Sequence, residues 1–598
     1  MLEDGKHKID QWLKVFLIWR VKHLKHKQFI YILSVVIGLL SGLAAVILKN
    51  LAHWVELLLI STDLEDVSDL TLFFTPLIGI FLAVFVTKTL IKANIGHGIP
   101  NVLYAISKGN ANMSKKGMYA SALTSVLTVG FGGSVGLEGP SVGTTASIGS
   151  NLGQLLKLNY KTKVLLMACA SSGAIASLFK APIAAIIFSL EVIMIDLSAV
   201  SLIPLLLSTI AANLTSRLFL GEEVLFHFEL MEDFDASKTV FYVLLGMVSG
   251  LVSVYFTRSY FYIGTWMERI KNGYVKALIG GSIVGALIYI FPPLFGEGYS
   301  TVNQLIQGDE DLMLDNIHFI PNLDEFWVVM LVLFAIIVFK TLATVLTLKS
   351  GGVGGIFAPA LFLGAGTGYT FSKLVNVVTG TYLSSSNFTL VAMGGLMAGV
   401  LQAPLTGIFL IAELTGGYDL FLPLMITSSI AFITVKYSTP YSIYTRQLAK
   451  RGELLTHHKD RAVLTLMNLK NEVETNFIRV KPYQTLGDLV KAIAKSDRNL
   501  FPVIDDDDLF LGVVTLNDAR KVMFDHEKHD KIKVHELMTS APEFIYRENS
   551  MEEVMRKFDH CGAWNLPVID SEGKYIGFVS KSKLFSAYRK RLKDFYEE

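Results

Sequence analysis

Charge is scarce in this chain: Asp, Glu, Lys and Arg make up 18% of its 598 residues, where soluble domains carry about a quarter. With 52% hydrophobic residues, the deficit excludes an ordinary soluble protein. An excess of either sign is missing too. The 53 basic residues face 52 acidic ones, so nothing points to nucleic acid as a partner. Cysteine occurs twice, as Cys169 in apolar and Cys561 in polar sequence, which supports neither a disulfide nor a cysteine metal site. The apolar region has no paired-histidine metal motif and no serine–histidine arrangement, so no enzyme is expected. Its carboxylates are few: Glu138, Glu191, Asp196 and Glu413.

Long apolar sequence is what the chain has instead. Phe29–Leu48 and Leu197–Ser216 each supply the ~20 residues that a helix needs to cross a bilayer, and Phe388–Ala412 is longer still. Val164–Phe179, Phe326–Phe339 and Leu420–Val435 are short, which reads as broken or half-depth helices lining a cavity. Residues 1–28 are charged, which argues against a cleavable signal peptide. Their basic excess, from Lys6 to Lys27, predicts a cytoplasmic N-terminus. After Val435 charges become frequent. The expected organisation is an N-terminal segment 1–28, a multi-pass membrane domain 29–449, a linker 450–474, and a soluble tail in two modules, 475–530 and 531–598.

Both parts repeat internally. In the tail, NLFPVID (499–505) and LGVVTLND (511–518) recur as NLPVID (565–570) and IGFVSKSK (576–583), in one register with an offset of 65. Each copy reads helix, strand, turn, strand, helix. The four acids Asp505–Asp508 read as a solvated hairpin tip rather than a metal site. In the membrane part, FKAPIAAIIFSLE (179–191) matches LQAPLTGIFLIAE (401–413), with nine residues from proline to glutamate in each. Upstream lie the glycine-rich GGSVGLEGP (132–140) and SGGVGGIFAP (350–359), whose prolines precede the A-P pairs by 42 and 45 residues. Glycine- and proline-interrupted segments in matching positions point to a transport site at the repeat interface.

A third such turn, GHGIP (96–100), also ends in proline. Proline favours the first turn of a helix, so each turn is expected to deliver a helix N-terminus into the membrane. Unpaired N–H groups and a partial positive charge sit there, and glycine lets the backbone approach an ion closely. Converging N-termini bind an anion without a lysine or arginine to hold it too tightly for release. The alternative is that the glycines serve only tight helix packing. A carboxylate such as Glu138 is costly in a membrane. It reads either as an internal substitute for the anion, released by protonation, or as a helix cap.

GHGIP, GLEGP and GGIFAP, in this order and within this repeat, resemble the CLC family of chloride channels and chloride/proton exchangers. The tail resembles a tandem pair of CBS modules. The resemblance implies a polytopic α-helical membrane protein with two inverted halves of partly broken helices, plus a soluble α/β tandem CBS domain. It also implies a homodimer in the lipid bilayer with one pore per subunit, carrying chloride and other small anions. Glu138 takes the place of the gating glutamate. His97, Gly98, Ile99, Gly139, Ile356 and Phe357 take the chloride-binding positions, and Tyr444 (with Tyr441 as the neighbouring candidate) takes the inner hydroxyl.

Three residues depart from the family pattern. His97 replaces a serine, and its imidazole either donates to the anion or turns away. Leu137 replaces a basic residue beside Glu138. Val192 replaces the second glutamate of the proton-coupling pair, and no carboxylate other than Glu191 lies within three residues. A valine carries no proton, so the expected function is channel-like chloride movement gated by Glu138, with a chloride/proton antiporter as the alternative. A cation transporter with a CBS tail is the distant alternative, disfavoured by the few membrane carboxylates. No cofactor is required. In the first CBS copy Thr515 and Asp518 match an adenine-nucleotide (ATP or AMP) pattern, which Lys583 breaks in the second. A tail that only tightens the dimer is the competing reading.

Overall fold

Proline lacks a backbone donor and pushes the preceding residue out of the helical region, and the two A-P pairs act on this chain in the same way. Ala181 (φ −117°, ψ 80°) and Ala403 (φ −131°, ψ 74°) are both extended. Each follows a left-handed residue, Lys180 at φ 55° and Gln402 at φ 56°. The helix Tyr160–Phe179 is thereby separated from Pro182–Glu191, and Ser385–Val400 from Pro404–Leu414. The uncharged run Phe388–Ala412 is therefore not one span, contrary to expectation: its proline divides it into two short helices.

The computed structural model describes residues 15, 17–20, 22–60, 70–92, 98–107, 110–193, 199–221, 226, 234–309, 317, 325–450 and 467–597. His97, Asp196 and the charges of residues 1–14 lie outside the described residues. The chain divides into two units, Met1–Leu454 and Leu455–Glu598.

In the first unit, eight of the described helices are long and apolar enough to cross a membrane. Among them are the three segments expected to be broken. Tyr160–Phe179, Phe326–Lys349 and Phe421–Ser438 have 20, 24 and 18 residues, and that expectation is corrected. Lysines cut the uncharged runs without cutting the helices, because oxygen acceptors receive their ammonium groups. Lys163 donates to the Asn110 carbonyl at 2.7 Å, Lys340 to the Gly296 carbonyl at 3.0 Å, and Lys436 to the Pro440 carbonyl at 2.8 Å. The short helices are instead Ile99–Ser107, after the first glycine turn, and Pro182–Glu191 and Pro404–Leu414, after the prolines.

Two short helices cap each other. Glu191 ends Pro182–Glu191, and its carboxylate accepts from the N–H groups of Leu405 (3.0 Å) and Thr406 (2.7 Å). Glu413, one residue from the end of Pro404–Leu414, returns the arrangement by accepting from Ile183 (3.0 Å) and Ala184 (2.7 Å). Each carboxylate meets the positive end of the other helix. Two of the four carboxylates noted in the membrane sequence thus have a structural role. Glu413→Ala strips both acceptors from one N-terminus and is expected to destabilise the fold by about 1–3 kcal/mol. Thermal unfolding in detergent measures this, and an unchanged midpoint contradicts it.

In the second unit the duplication holds in three dimensions. Strands β1 (Leu500–Ile504) and β2 (Phe510–Thr515) pair antiparallel, and so do β4 (Asn565–Ile569) and β5 (Tyr575–Ser580), with β3 (Ile545–Tyr546) parallel to β4. Leu500↔Thr515 and Asn565↔Ser580 keep the offset of 65, and the bulge falls after Val503 in one copy and Val568 in the other. Asp505–Asp508 forms the first hairpin tip, where Lys481 and Arg479 pair with Asp506 and Asp508. The two tips also join, through Tyr575 N–H to the Asp508 carbonyl at 2.9 Å.

Matching capping boxes open the helices Leu486–Ala494 and Met551–Cys561, built from Thr485 with Asp488 and Ser550 with Glu553. The backbone N–H groups of Thr485 and Ser550 hold both carboxyls below the usual carboxylate range. The resulting stability is present above about pH 4, where unfolded carboxyls are ionised, and is lost as the pH falls through the folded values. Glu553→Gln is expected to speed amide exchange in Met551–Cys561 about two- to fivefold at pH 7. The difference from wild type should shrink towards pH 3. A difference that persists unchanged in acid contradicts the charge-based account.

Candidate functional site

The two glycine-rich loops of the repeat cross one another. Gly136 N–H donates to the Gly355 carbonyl at 3.0 Å, and Gly355 N–H to the Gly136 carbonyl at 2.6 Å. This antiparallel bridge fixes the starts of the helices Glu138–Leu155 and Phe357–Thr379 against each other. The approach tolerates no side chain, since a Cβ on Gly355 would lie 2.8 Å from the Gly139 nitrogen. The third turn reaches the same point. Gly98 has φ +46°, and a Cβ there would stand 2.0 Å from the Gly139 carbonyl oxygen. The helix Ile99–Ser107 begins beside it. Gly98, Ile99, Gly139, Ile356 and Phe357 are therefore gathered at three helix N-termini. The Phe357 ring is sealed by Phe179 and Phe188, at centroid distances of 5.2 and 6.1 Å.

Glu138 is the first residue of its helix and only 2% exposed. Its Oε1 accepts from the Tyr299 hydroxyl at 2.6 Å. Its Oε2 has no hydrogen-bond partner among the described residues, although the backbone N–H groups of Glu138 and Ala358 lie close enough to act on the carboxylate. The hydroxyls of Ser134, Ser141 and Tyr444 are likewise buried and unpaired among the described residues. Tyr444 is buried while Tyr441 is 44% exposed. An unpaired acceptor held at positive helix ends, with idle hydroxyls buried in the same unit, has the chemistry of an anion site occupied by a carboxylate.

Val192 caps the helix Pro182–Glu191 at its C-terminus and is buried. Its neighbour Glu191 is engaged with Leu405 and Thr406. In the tail, Asp518 closes a capping box with Thr515, accepting from its N–H at 2.8 Å and its hydroxyl at 2.6 Å. The second copy keeps only the Ser580 half, which accepts from Lys583 N–H at 3.2 Å.

Residues 78–436 match the model of the voltage gated chloride channel family, three-fifths of the chain. The chain belongs to this family. Residues 470–525 and 534–590 match the CBS domain. The chain is similar to a putative chloride channel protein ClcB-like of Ralstonia nicotianae, 28% identical over 372 residues (60% of this chain, 80% of that protein). It is also similar to the H(+)/Cl(-) exchange transporter ClcA of Salmonella paratyphi B, 27% identical over 440 residues (70% and 88%). Its fold matches a slow cyanobacterial Cl-/H+ antiporter with a TM-score of 0.61 at 22% identity, over 73% of this chain and all of that one. A eukaryotic CLC transporter matches at 0.60 and 19%, over 93% and 97%. The protein is a chloride-transporting membrane protein of the CLC family.

Sequence reasoning missed Tyr299. It lies in FGEGYS (295–300), a short polar stretch outside both repeats. The signal available was a glutamate set among glycines, Gly296-Glu297-Gly298, as Glu138 is in GLEGP. A hydrogen bond to a charged group contributes about 1.5–3 kcal/mol, so Tyr299→Phe frees the Glu138 carboxylate. Chloride flux at pH 7.5 is expected to rise about tenfold, measured as efflux from liposomes. Flux equal to wild type means that the bond does not restrain the carboxylate.

Proposed function

We propose that this CLC protein exchanges chloride for protons, with Glu138 as the group both ions act on. One observation carries the reading: a carboxylate, one oxygen unpaired among the described residues, stands among three helix N-termini suited to an anion. Chloride arriving there displaces the carboxylate, and a proton on the carboxylate weakens its hold, so each ion alters the binding of the other. Relatives named as H(+)/Cl(-) exchange transporters support exchange over the channel-like movement expected from sequence. In this reading the backbone N–H groups of Gly98, Ile99, Gly139, Ile356 and Phe357 bind chloride, the Tyr444 hydroxyl closes the inner side, and His97 is a further chloride-binding candidate. The protein acts as a homodimer with its N-terminus and CBS tail in the cytoplasm. The bonds of Asp518 within its cap all use Oδ2, which leaves Oδ1 for the ribose of an adenine nucleotide whose phosphate meets Thr515.

Val192 favours a second reading, channel-like movement, because the second carboxylate of the coupling pair is missing. Liposomes holding a chloride gradient and no proton gradient separate the two. Exchange drives protons uphill at a fixed ratio to chloride, and Glu138→Gln is expected to abolish proton movement while chloride still moves. Chloride movement without uphill protons in the wild type overturns exchange and leaves the channel.

A further inference from the structure

The segment from Leu294 to Tyr299 wraps around a lysine. Lys340, fully buried in the helix Phe326–Lys349, donates to the carbonyl oxygens of Leu294 (3.2 Å) and Gly296 (3.0 Å). Its ammonium also lies 4.6 Å from the centre of the Phe362 ring. Gly298 is pressed against the same group: it has φ +83°, and a Cβ there would lie 3.3 Å from Lys340 Nζ and 2.6 Å from Phe362. Held in this way, the segment presents two side chains to the start of the Glu138 helix. Tyr299 donates to Glu138, and Glu297 Oε1 accepts from Leu137 N–H at 2.9 Å. Two carboxylates, Glu138 and Glu297, thus bond at the same helix N-terminus, one through its own residue and one through the residue before it.

Their surroundings differ in one respect that bears on protons. Glu138 is sealed, whereas Glu297 is partly exposed. The charged and titratable groups acting on Glu297 are Glu138, Tyr299 and Lys340, together with Lys49 and Glu56 of the helix His26–Ile60. Lys340 is the fully buried cation of this segment, and Lys49 of the helix His26–Ile60 also acts on Glu297. Withdrawing a carboxylate from water and placing it near another both favour its protonated form, so one proton held by the pair lowers the cost of bringing the two together.

We infer that Glu297 is a second proton-binding group of the transport pathway, which shares a proton with Glu138 and connects that sealed carboxylate to water. The proton leaves one carboxyl group and joins the other carboxylate, so the pair's charge is conserved in the transfer. The inference rests on Glu138 standing in the chloride path, not on exchange. Lys340 is a positioning residue that holds the segment and sets the pair's charge.

The test is chloride efflux from liposomes between pH 4.5 and 8.5, for wild type, Glu297→Gln, Glu297→Asp and Lys340→Met. Removing a negative neighbour makes the remaining carboxylate hold its proton less tightly. Glu297→Gln should therefore move acid activation to lower pH by about one unit or more. Its pH dependence should also become that of a single proton. Glu297→Asp, which keeps the charge, should restore most of the wild-type profile. Lys340→Met removes the compensating cation and should move the profile to higher pH. If Glu297→Gln does not assemble, the opposite shift in Lys340→Met decides alone. A wild-type profile in Glu297→Gln, or in Lys340→Met when only that variant assembles, overturns the inference. A wild type that moves chloride without uphill protons ends the exchange reading and leaves this test intact, since it reads chloride alone.

Discussion

Everything at the anion site depends on two backbone hydrogen bonds, those between Gly136 and Gly355. They tie a loop of the first repeat to a loop of the second, and the helices that follow must then start against each other. Helix starts carry partial positive charge, so their approach is unfavourable unless something negative lies between them. Glu138 supplies it here, and on the proposed mechanism a bound anion takes its place. The glycines at 98, 139 and 355 follow from this geometry, because any Cβ there would strike another loop's backbone. Packing and function are therefore one constraint in this region.

The same electrostatic device recurs without transport in the Glu191 and Glu413 caps. There the carboxylate is fixed by two N–H groups of the partner helix, and each short helix completes the other. Glu138 differs in having one oxygen without a partner among the described residues. A carboxylate with full hydrogen bonding at a helix N-terminus is an anchor, and one with partial bonding is free to exchange. That distinction also settles why the cation alternative loses its basis. Two of the four carboxylates noted in the membrane sequence hold helices together, and the family is one of chloride transport.

Much of this was legible from the chain alone because glycine, proline and glutamate act through local rules. The glycine turns and the 65-residue tail repeat each became the structure expected of them. Span lengths were not legible. A search for uncharged runs stops at a lysine, whereas a helix continues past one whose ammonium finds a carbonyl oxygen, as at Lys163 and Lys340. It also runs through Ala403-Pro404, where the helix breaks. Glu297 and Tyr299 escaped because their importance comes from contacts with residues about 160 positions away in the chain. No periodicity encodes such a contact.

Leu137 and Lys340 together explain how positive charge is placed near this site. The family's basic residue beside the gating glutamate would point a cation at the anion path itself, and here that position is a buried leucine. Lys340 stands behind the Leu294–Tyr299 segment instead, bonded to carbonyl oxygens and covered by Phe362. A cation placed there acts on the site through low-dielectric protein rather than by contact, so it offsets carboxylate charge without offering chloride a partner to bind. On the proposed mechanism, chloride meets backbone N–H groups and hydroxyls, which hold an anion weakly enough to release it. The cation's influence falls on Glu297 and Glu138, the groups to which the proposal gives the proton. On that proposal, positive charge serves the proton side of the chemistry and dipoles the chloride side.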